Sequence, residues 1–317
     1  MKKIITRLFI LGALIALIAL LPAGAAAQQL DARQRNAETV VADGLAQLPA
    51  APPAVVNEVM GELAATGSAG VEMIAGMLTP ADKGQNATLE YALNGITAYA
   101  TAPGNEALCA DVRKGLVRAI ERCADNANRA FLFSQLQLCS AAEDAAWILP
   151  YLDDSYLSDY AIRALISTPG TEPVLLAEAR KEGLAAERKR ALAYAFAEKR
   201  MTQAEPLLLG WLGGADARTA EQIYNALAVC GSRASLKPLA AAAAEAGYGW
   251  DNTGAADAYL RLLANLVAAG DAQPAVKAAK GLLKCDRQYV RGAALAVLAD
   301  ALGIEKAMPY VLAAVKE

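Results

Sequence analysis

The chain has 317 residues, 30 basic and 33 acidic, with no histidine and with alanine at 75 positions. Without imidazole, Ser-His-Asp and Cys-His nucleophiles and His-bearing zinc sites are all excluded. Aromatic residues at 6% argue against a glycan cleft paved with rings, which leaves carboxylate chemistry, a lysine nucleophile, or no chemistry.

The N-terminus reads as an export signal. Lys2, Lys3 and Arg7 form a positive start, Leu8 to Leu21 is an unbroken run of apolar and small residues, and Ala25-Ala26-Ala27 offers a cleavage site before Gln28. The run is shorter than the roughly 20 residues that span a bilayer. The signal peptide is therefore 1–27, and the mature chain is expected in the periplasm or outside the cell. Taking Lys2, Lys3 and Arg7 from the 30 basic residues leaves 27 against 33 acidic. That mild, unclustered acidity excludes nucleic acid as a partner, and no segment after residue 28 suits a membrane span.

Residues 28–68 are expected to form an N-terminal helical cap, its two helices divided by the stiff stretch from Pro49 to Pro53. Helix pairs follow at roughly 69–102 and 105–139. From there a proline returns near the start of an apolar run, at Pro150, Pro173, Pro206, Pro238, Pro274 and Pro309. Proline is tolerated in the first turn of a helix, where its missing N–H would have no intrahelical acceptor. A return every ~33 residues thus marks one point in a repeated unit of two helices.

In 203–232 the first helix runs from Ala204 to Leu212, Gly213-Gly214 turns, and Asp216 caps a second helix over Ala217 to Cys230. That helix buries Ala220, Ile223, Leu227 and Cys230 and stops at Gly231. The unit at 272–303 repeats the plan with Val290, Ala294, Val297 and Leu298 buried and Gly303 as the stop. In 141–170, Leu149 and Leu152 precede a turn at Asp153-Asp154, and Ile162 and Leu165 follow. No segment alternates as a strand would, and alanine suits helices packed at the ~8 Å end of the range. The expected fold is all-α, a right-handed α-α superhelix (solenoid) of about seven to eight antiparallel helix pairs, with 69–317 as its repeat domain.

Two segments carry a family likeness. One is Asn225-Ala226-Leu227-Ala228-Val229-Cys230-Gly231 followed by Leu236-Lys237-Pro238-Leu239. The other is Leu302-Gly303 followed by Ala307-Met308-Pro309-Tyr310-Val311-Leu312. They resemble HEAT-type (armadillo-like) repeats, as does Asp286 with Val290-Arg291 and Ala294. The resemblance covers 143–316 and implies second helices lining a concave docking face. It also extends to the N-terminal repeat regions of some larger secreted sugar-hydrolase-like proteins, whose β-domain has no counterpart in this chain.

Three features are candidate sites. Cys109 and Cys139 fall about equally far on either side of a turn near Ala124-Asp125. Antiparallel packing would bring them together as a disulfide worth about 3–4 kcal/mol, or leave both as small core residues. Tyr248, Trp250, Asp251 and Asn252 lie in an unusually long, glycine-flanked turn. They read as a ligand or partner contact, or as an inserted loop whose Trp250 folds back onto the helix ends. Glu187-Arg188-Lys189-Arg190 gives one helix a basic face, either a spot for an acidic partner or a solvated face with i,i+4 pairs. Asp153-Asp154-Ser155 lacks EF-hand spacing. No catalytic residue, metal site or cofactor is expected.

The leading expectation is an exported, non-catalytic scaffold that binds a protein partner or accessory domain on its concave face. A glycan is a second class of ligand. The alternatives are the N-terminal repeat region of a longer secreted carbohydrate-active hydrolase, or an all-helical enzyme using two carboxylates on a polysaccharide.

Overall fold

The computed structural model describes residues 36–80 and 82–315, so the expected signal peptide lies outside the described residues. Among these the regular elements are 17 α-helices and three short 3-10 segments, with no strand. The chain divides into two compact units, one ending at Asn128 and the other beginning at Arg129. Residue 68, expected to end a cap, instead lies inside the helix Gly67–Gly76, whose packing keeps it within unit one.

Unit one contains α1 (Ala37–Ala46), α2 (Pro53–Ala65), α3 (Gly67–Gly76), α4 (Ala87–Ala100) and α5 (Glu106–Arg122). Asn36 caps α1 by accepting Thr39 N–H at 2.9 Å, and Pro53 opens α2 at its first helical position. Met60, Leu63, Ile74, Leu93, Ile96, Leu116 and Ile120 form the core, with the helices packed around them. The α3–α5 contact is the closest of these, and glycine makes it so. Gly67 starts α3 at φ +62°, and a Cβ there would stand 1.9 Å from Asp111 Oδ2, the oxygen that accepts Ser68 N–H at 3.1 Å. Gly115 of α5 rests on Ser68 and Val71, where a Cβ would come within 2.8 Å of the Ser68 carbonyl oxygen. The turn between α3 and α4 is held by Asn86 and Asn128, whose amides both donate to the Thr79 carbonyl.

Helix α6 (Asn126–Cys139) crosses the division, and the rest of unit two follows as pairs. The first member of the first pair is broken. It comprises 3-10 Ala142–Asp144, α7 (Ala145–Ile148) and 3-10 Leu149–Asp153, the last containing Pro150; α8 (Ser158–Ser167) completes the pair. Then come α9 (Glu172–Ala179) with α10 (Ala186–Glu198), α11 (Glu205–Trp211) with α12 (Ala217–Cys230), α13 (Arg233–Glu245) with α14 (Ala255–Ala268), and α15 (Ala272–Leu282) with α16 (Gln288–Leu302). The last is α17 (Ile304–Val315). Each second helix touches the next, from α8 through α10, α12 and α14 to α16.

The spans expected at 217–230 and around Val290 to Leu298 stand as read. Asp216 accepts Thr219 N–H at 2.7 Å, and Ala220, Ile223, Leu227, Cys230, Val290, Ala294, Val297 and Leu298 are buried. The proline rule holds only in part. Pro173 and Pro206 are second in their helices and Pro274 third, whereas Pro238 and Pro309 fall in the second turn, at the sixth position. The cause is that the starts of α13 and α17 are set upstream, by the Ser232 hydroxyl accepting Ala234 N–H and by Gly303 at φ +83°.

Carboxylates clamp two of these pairs in the same way. Glu172, first in α9, binds Lys199 at 3.0 Å; Glu205, first in α11, accepts Ser232 N–H at 2.7 Å and the Ser235 hydroxyl. Both reach 27 residues ahead, from the start of the first helix to just past the end of the second. Removing a buried donor or acceptor from such a clamp would leave its partner unsatisfied, which is what makes the junction specific.

Candidate functional site

The N-terminal halves of α8, α10 and α12 meet along one groove of about 450 Å³ in unit two. Asp154 sets the start of α8 by accepting Tyr156 and Leu157 N–H at 2.8 and 3.0 Å. Asp216 does the same for α12. The walls carry Asp159, Glu187, Arg190, Tyr194, Arg218, Glu221 and Gln222, a mixed-charge surface with one ring.

Arg190 is the fixed point of that surface. It is only 17% exposed, donates to Glu187 at 2.9 Å and to the Thr219 hydroxyl at 3.1 Å, and lies 3.9 Å from Asp216. The Glu187 carboxyl is held below the ordinary range by its own helix N-terminal N–H and then by Arg190. Asp216 is lowered first by the Thr219 N–H and hydroxyl. Every carboxylate in the molecule whose affinity for protons moves among the described residues moves down: Glu106, Glu172, Glu178, Glu187, Asp216 and Asp271. A carboxylic acid that donates protons near neutrality needs the opposite shift.

Within the basic run, Arg190 lines the groove while Arg188 is taken up inside the unit. Arg188, 13% exposed, binds Asp153 at 2.8 Å, pairs with Glu178 and donates to the Leu149 carbonyl at 3.1 Å. It bridges α10 to α9 and to the segment before α8, rather than facing solvent with an i,i+4 partner. Glu178 is 2% exposed. Burial pushes its carboxyl up, but Lys181 and Arg188 together bring it below the ordinary value. The same geometry accounts for Asp153 and Asp154 as an ion-pair partner and a cap. No cluster with metal-ligand spacing occurs among the described residues.

The turn between α13 and α14 is built to present one ring. Tyr248 sits at φ +53° between Gly247 at φ +58° and Gly249. Its N–H donates to the Ala243 carbonyl at 2.8 Å, and its carbonyl accepts the Tyr289 hydroxyl. Asp251 accepts both the N–H and the hydroxyl of Thr253, at 3.1 and 3.0 Å. Tyr248 and Asp251 are thus committed to holding the loop, while Asn252 is exposed and Trp250 is 90% exposed. Trp250 does not fold back onto the helix ends; the preorganised turn points its indole outward. Tyr289, 54% exposed at the start of α16, reaches the same turn through its hydroxyl on the Tyr248 carbonyl, and a Cβ at Gly249 would lie 3.6 Å from an Arg287 nitrogen. The Tyr224 phenol of α12 is pushed up by burial and then by the charges of Glu245 and Asp251.

Tyr289 and Arg287 went unnoticed in the sequence because they join the tip from the next turn, about 40 residues on. No local pattern records that meeting. Tryptophan, tyrosine and arginine are the residue types that dominate interface energetics.

The two cysteines expected to pair fall in different units. Cys109 is half-buried on α5, while Cys139 is buried at the end of α6, its thiol 3.8 Å from the Gln135 carbonyl. Cys230 is a core residue, as the sequence reading has it. Its thiol donates to the Ala226 carbonyl at 2.8 Å, and burial pushes it up to about 11. Unit one carries a different surface, an open groove of about 760 Å³ between α2 and α4. It is lined by Val56, Met60, Ala98, Tyr99 and neighbours, with no charged side chain.

The chain matches no protein-family model, and no curated protein or solved structure matches it either. No helix among the described residues is long and apolar enough to cross a membrane.

Proposed function

We propose that this is an exported, non-catalytic helical-repeat scaffold whose second helices form the docking face for a protein partner or accessory domain. The reading takes the helix pairs as HEAT-like units of a right-handed superhelix of about seven to eight pairs, cleaved from its signal after Ala27 and acting in the periplasm or outside the cell. The observation that carries it is the indole of Trp250. It is 90% exposed on a turn held by Tyr248 and Asp251, and Tyr289 and Arg287 reach that turn at Tyr248 and Gly249. A large exposed ring on a rigid support suits binding, because little side-chain entropy is lost when it is buried. The groove along α8, α10 and α12 supplies a mixed-charge surface, and α12 packs on α14, the helix that follows the Trp250 turn.

The test is quantitative capture from the periplasmic or secreted fraction of the native source, comparing the mature chain with Trp250→Ala and Tyr194→Ala. A protein held by the mature chain and lost from both variants supports the reading; equal capture by all three removes it. A glycan ligand would show instead as polysaccharide binding lost with Trp250→Ala alone.

One observation favours a second reading, the polysaccharide enzyme: Asp159, Glu187 and Glu221 line a single groove. Against it, Glu187 is pulled toward the ionised form, whereas glycoside cleavage needs one carboxyl held protonated. Release of reducing sugar from a polysaccharide panel, abolished by Glu221→Gln, would establish the enzyme.

A further inference from the structure

The groove along α8, α10 and α12 keeps its cations occupied and leaves anions over. Arg190 is held between Glu187 at 2.9 Å and Asp216 at 3.9 Å, and it also donates to the Thr219 hydroxyl. Arg218, the other guanidinium on the groove, stands near enough to Asp216 to help lower that carboxyl. Asp159 on α8 and Glu221 on α12 are exposed and have no ion-pair partner among the described residues, although Arg163 and Arg218 lie one turn away on their own helices. The charges around the groove are therefore four carboxylates, Asp159, Glu187, Asp216 and Glu221, against the guanidiniums of Arg190 and Arg218.

The two unmatched carboxylates stand on opposite sides of the groove. Helix α10 packs on both α8 and α12, so Asp159 and Glu221 flank it. Ala191 and Tyr194 of α10, with the buried Ile162 of α8, supply a partly apolar floor between them. Neighbouring helices packed at roughly 8–10 Å put α8 and α12 too far apart for one cation to meet both carboxylates. Two cations on one extended segment would do so, because such a chain advances about 3.3 Å per residue. Lysine and arginine suit the floor as well, since their apolar stems can lie along it while the charged ends stay wet. The face of Tyr194 is attractive to a passing cation.

We propose that this groove receives a basic segment of the protein partner, an extended stretch crossing α10 with one lysine or arginine directed at Asp159 and another at Glu221. The proposal rests on the reading of the second helices as a docking face and names the chemistry that the face selects. An acidic or neutral segment would cover both carboxylates without a counter-charge, which disfavours it. Charges at a wet rim act more on specificity and approach than on affinity.

The test uses fluorescein-labelled decalysine, decaglutamate and a Gly-Ser decamer, with binding to the mature chain read by fluorescence anisotropy. Decalysine should bind tightest. The double variant Asp159→Asn/Glu221→Gln should weaken it about tenfold with the circular dichroism unchanged, each single change giving roughly threefold. Asp300→Asn/Glu305→Gln removes the same charge from exposed positions on α16 and α17 and should change binding by less than about twofold. Equal weakening by the two double variants overturns the proposal. So does decaglutamate or the Gly-Ser peptide binding as tightly as decalysine. Capture of a protein that needs Tyr194 yet ignores Asp159→Asn/Glu221→Gln overturns it too, while leaving the scaffold reading intact. Decalysine held through Asp159 and Glu221, alongside equal protein capture by the mature chain, Trp250→Ala and Tyr194→Ala, upholds the groove's selection for cations and removes the scaffold reading instead.

Discussion

Units one and two are both built of paired helices, yet they are held together by different means. In unit one the closest contact is made by removing side chains: Gly67 and Gly115 let α3 and α5 approach until a single added methyl would collide with backbone or with Asp111. In unit two the pairs are joined by buried charges and hydrogen bonds. Arg188 ties Asp153, Glu178 and the Leu149 carbonyl, Lys199 ties Glu172, and Glu205 ties Ser232 and Ser235. The difference teaches that two routes lead to the same pairing, and that they fail differently. Glycine contacts fail by overpacking and are indifferent to pH, whereas polar clamps fail when one member is lost or neutralised.

Trp147, Trp211 and Trp250 all lie in unit two, so tryptophan fluorescence reports on that unit while far-ultraviolet circular dichroism reports on both. The largest effect is expected from Arg188→Leu, which removes one of the two cations paired with the nearly buried Glu178 and leaves Lys181, 2.6 Å away, as the other. About 2 kcal/mol should be lost in urea unfolding followed by tryptophan fluorescence. Arg188→Leu combined with Glu178→Leu should restore most of it, since the weakly compensated charge goes too. Next comes Gly115→Ala, expected to cost about 2 kcal/mol by overpacking α3 against α5. It should appear in circular dichroism while the tryptophan transition stays in place. A shared shift of both signals would make the units one cooperative block and end the comparison.

Acid should separate the units further. The carboxyls of Glu172 and Glu178 are lowered from the ordinary glutamate value of 4.5, so their contribution is complete above that pH and is lost as the pH falls through the lowered values. Among the described residues of unit one, only Glu106 is lowered, by backbone N–H groups at a helix start. On titration below pH 4.5 the tryptophan signal should therefore change before the total ellipticity falls, and Glu178→Gln should flatten that early limb. The smallest effect is expected at Trp250→Ala. Its ring is too exposed to support the fold, and the unfolding midpoint should move by no more than about 0.5 kcal/mol equivalent. Thiol titration of the unfolded, unreduced mature chain addresses the Cys109–Cys139 pairing: three reactive thiols are expected if it forms, and five would exclude it.

Legibility followed the range of the interaction. The helices at 217–230 and 288–302 could be read because their apolar spacing and their end signals, Asp216, Gly231 and Gly303, all lie within a few residues of one another. The break at Ala142–Asp153 and the second-turn positions of Pro238 and Pro309 were less legible, because a cap a few residues upstream overrules the proline. The role of Arg188 within the basic run was not legible for a similar reason. Its partners Asp153 and Glu178 lie 35 and 10 residues away, and nothing in the run itself announces them.

By itself, then, the sequence determined that the chain is helical and where most second helices begin and end, because propensity, periodicity and capping act over one or two turns. It also determined that imidazole chemistry is absent. Only the tertiary structure decided that the chain divides near Asn128, that three second helices share a groove, and that Trp250 stands outward on a turn that Tyr289 helps to hold. Those outcomes depend on which side chains meet across tens of residues, and packing and buried charge set that meeting where local pattern cannot.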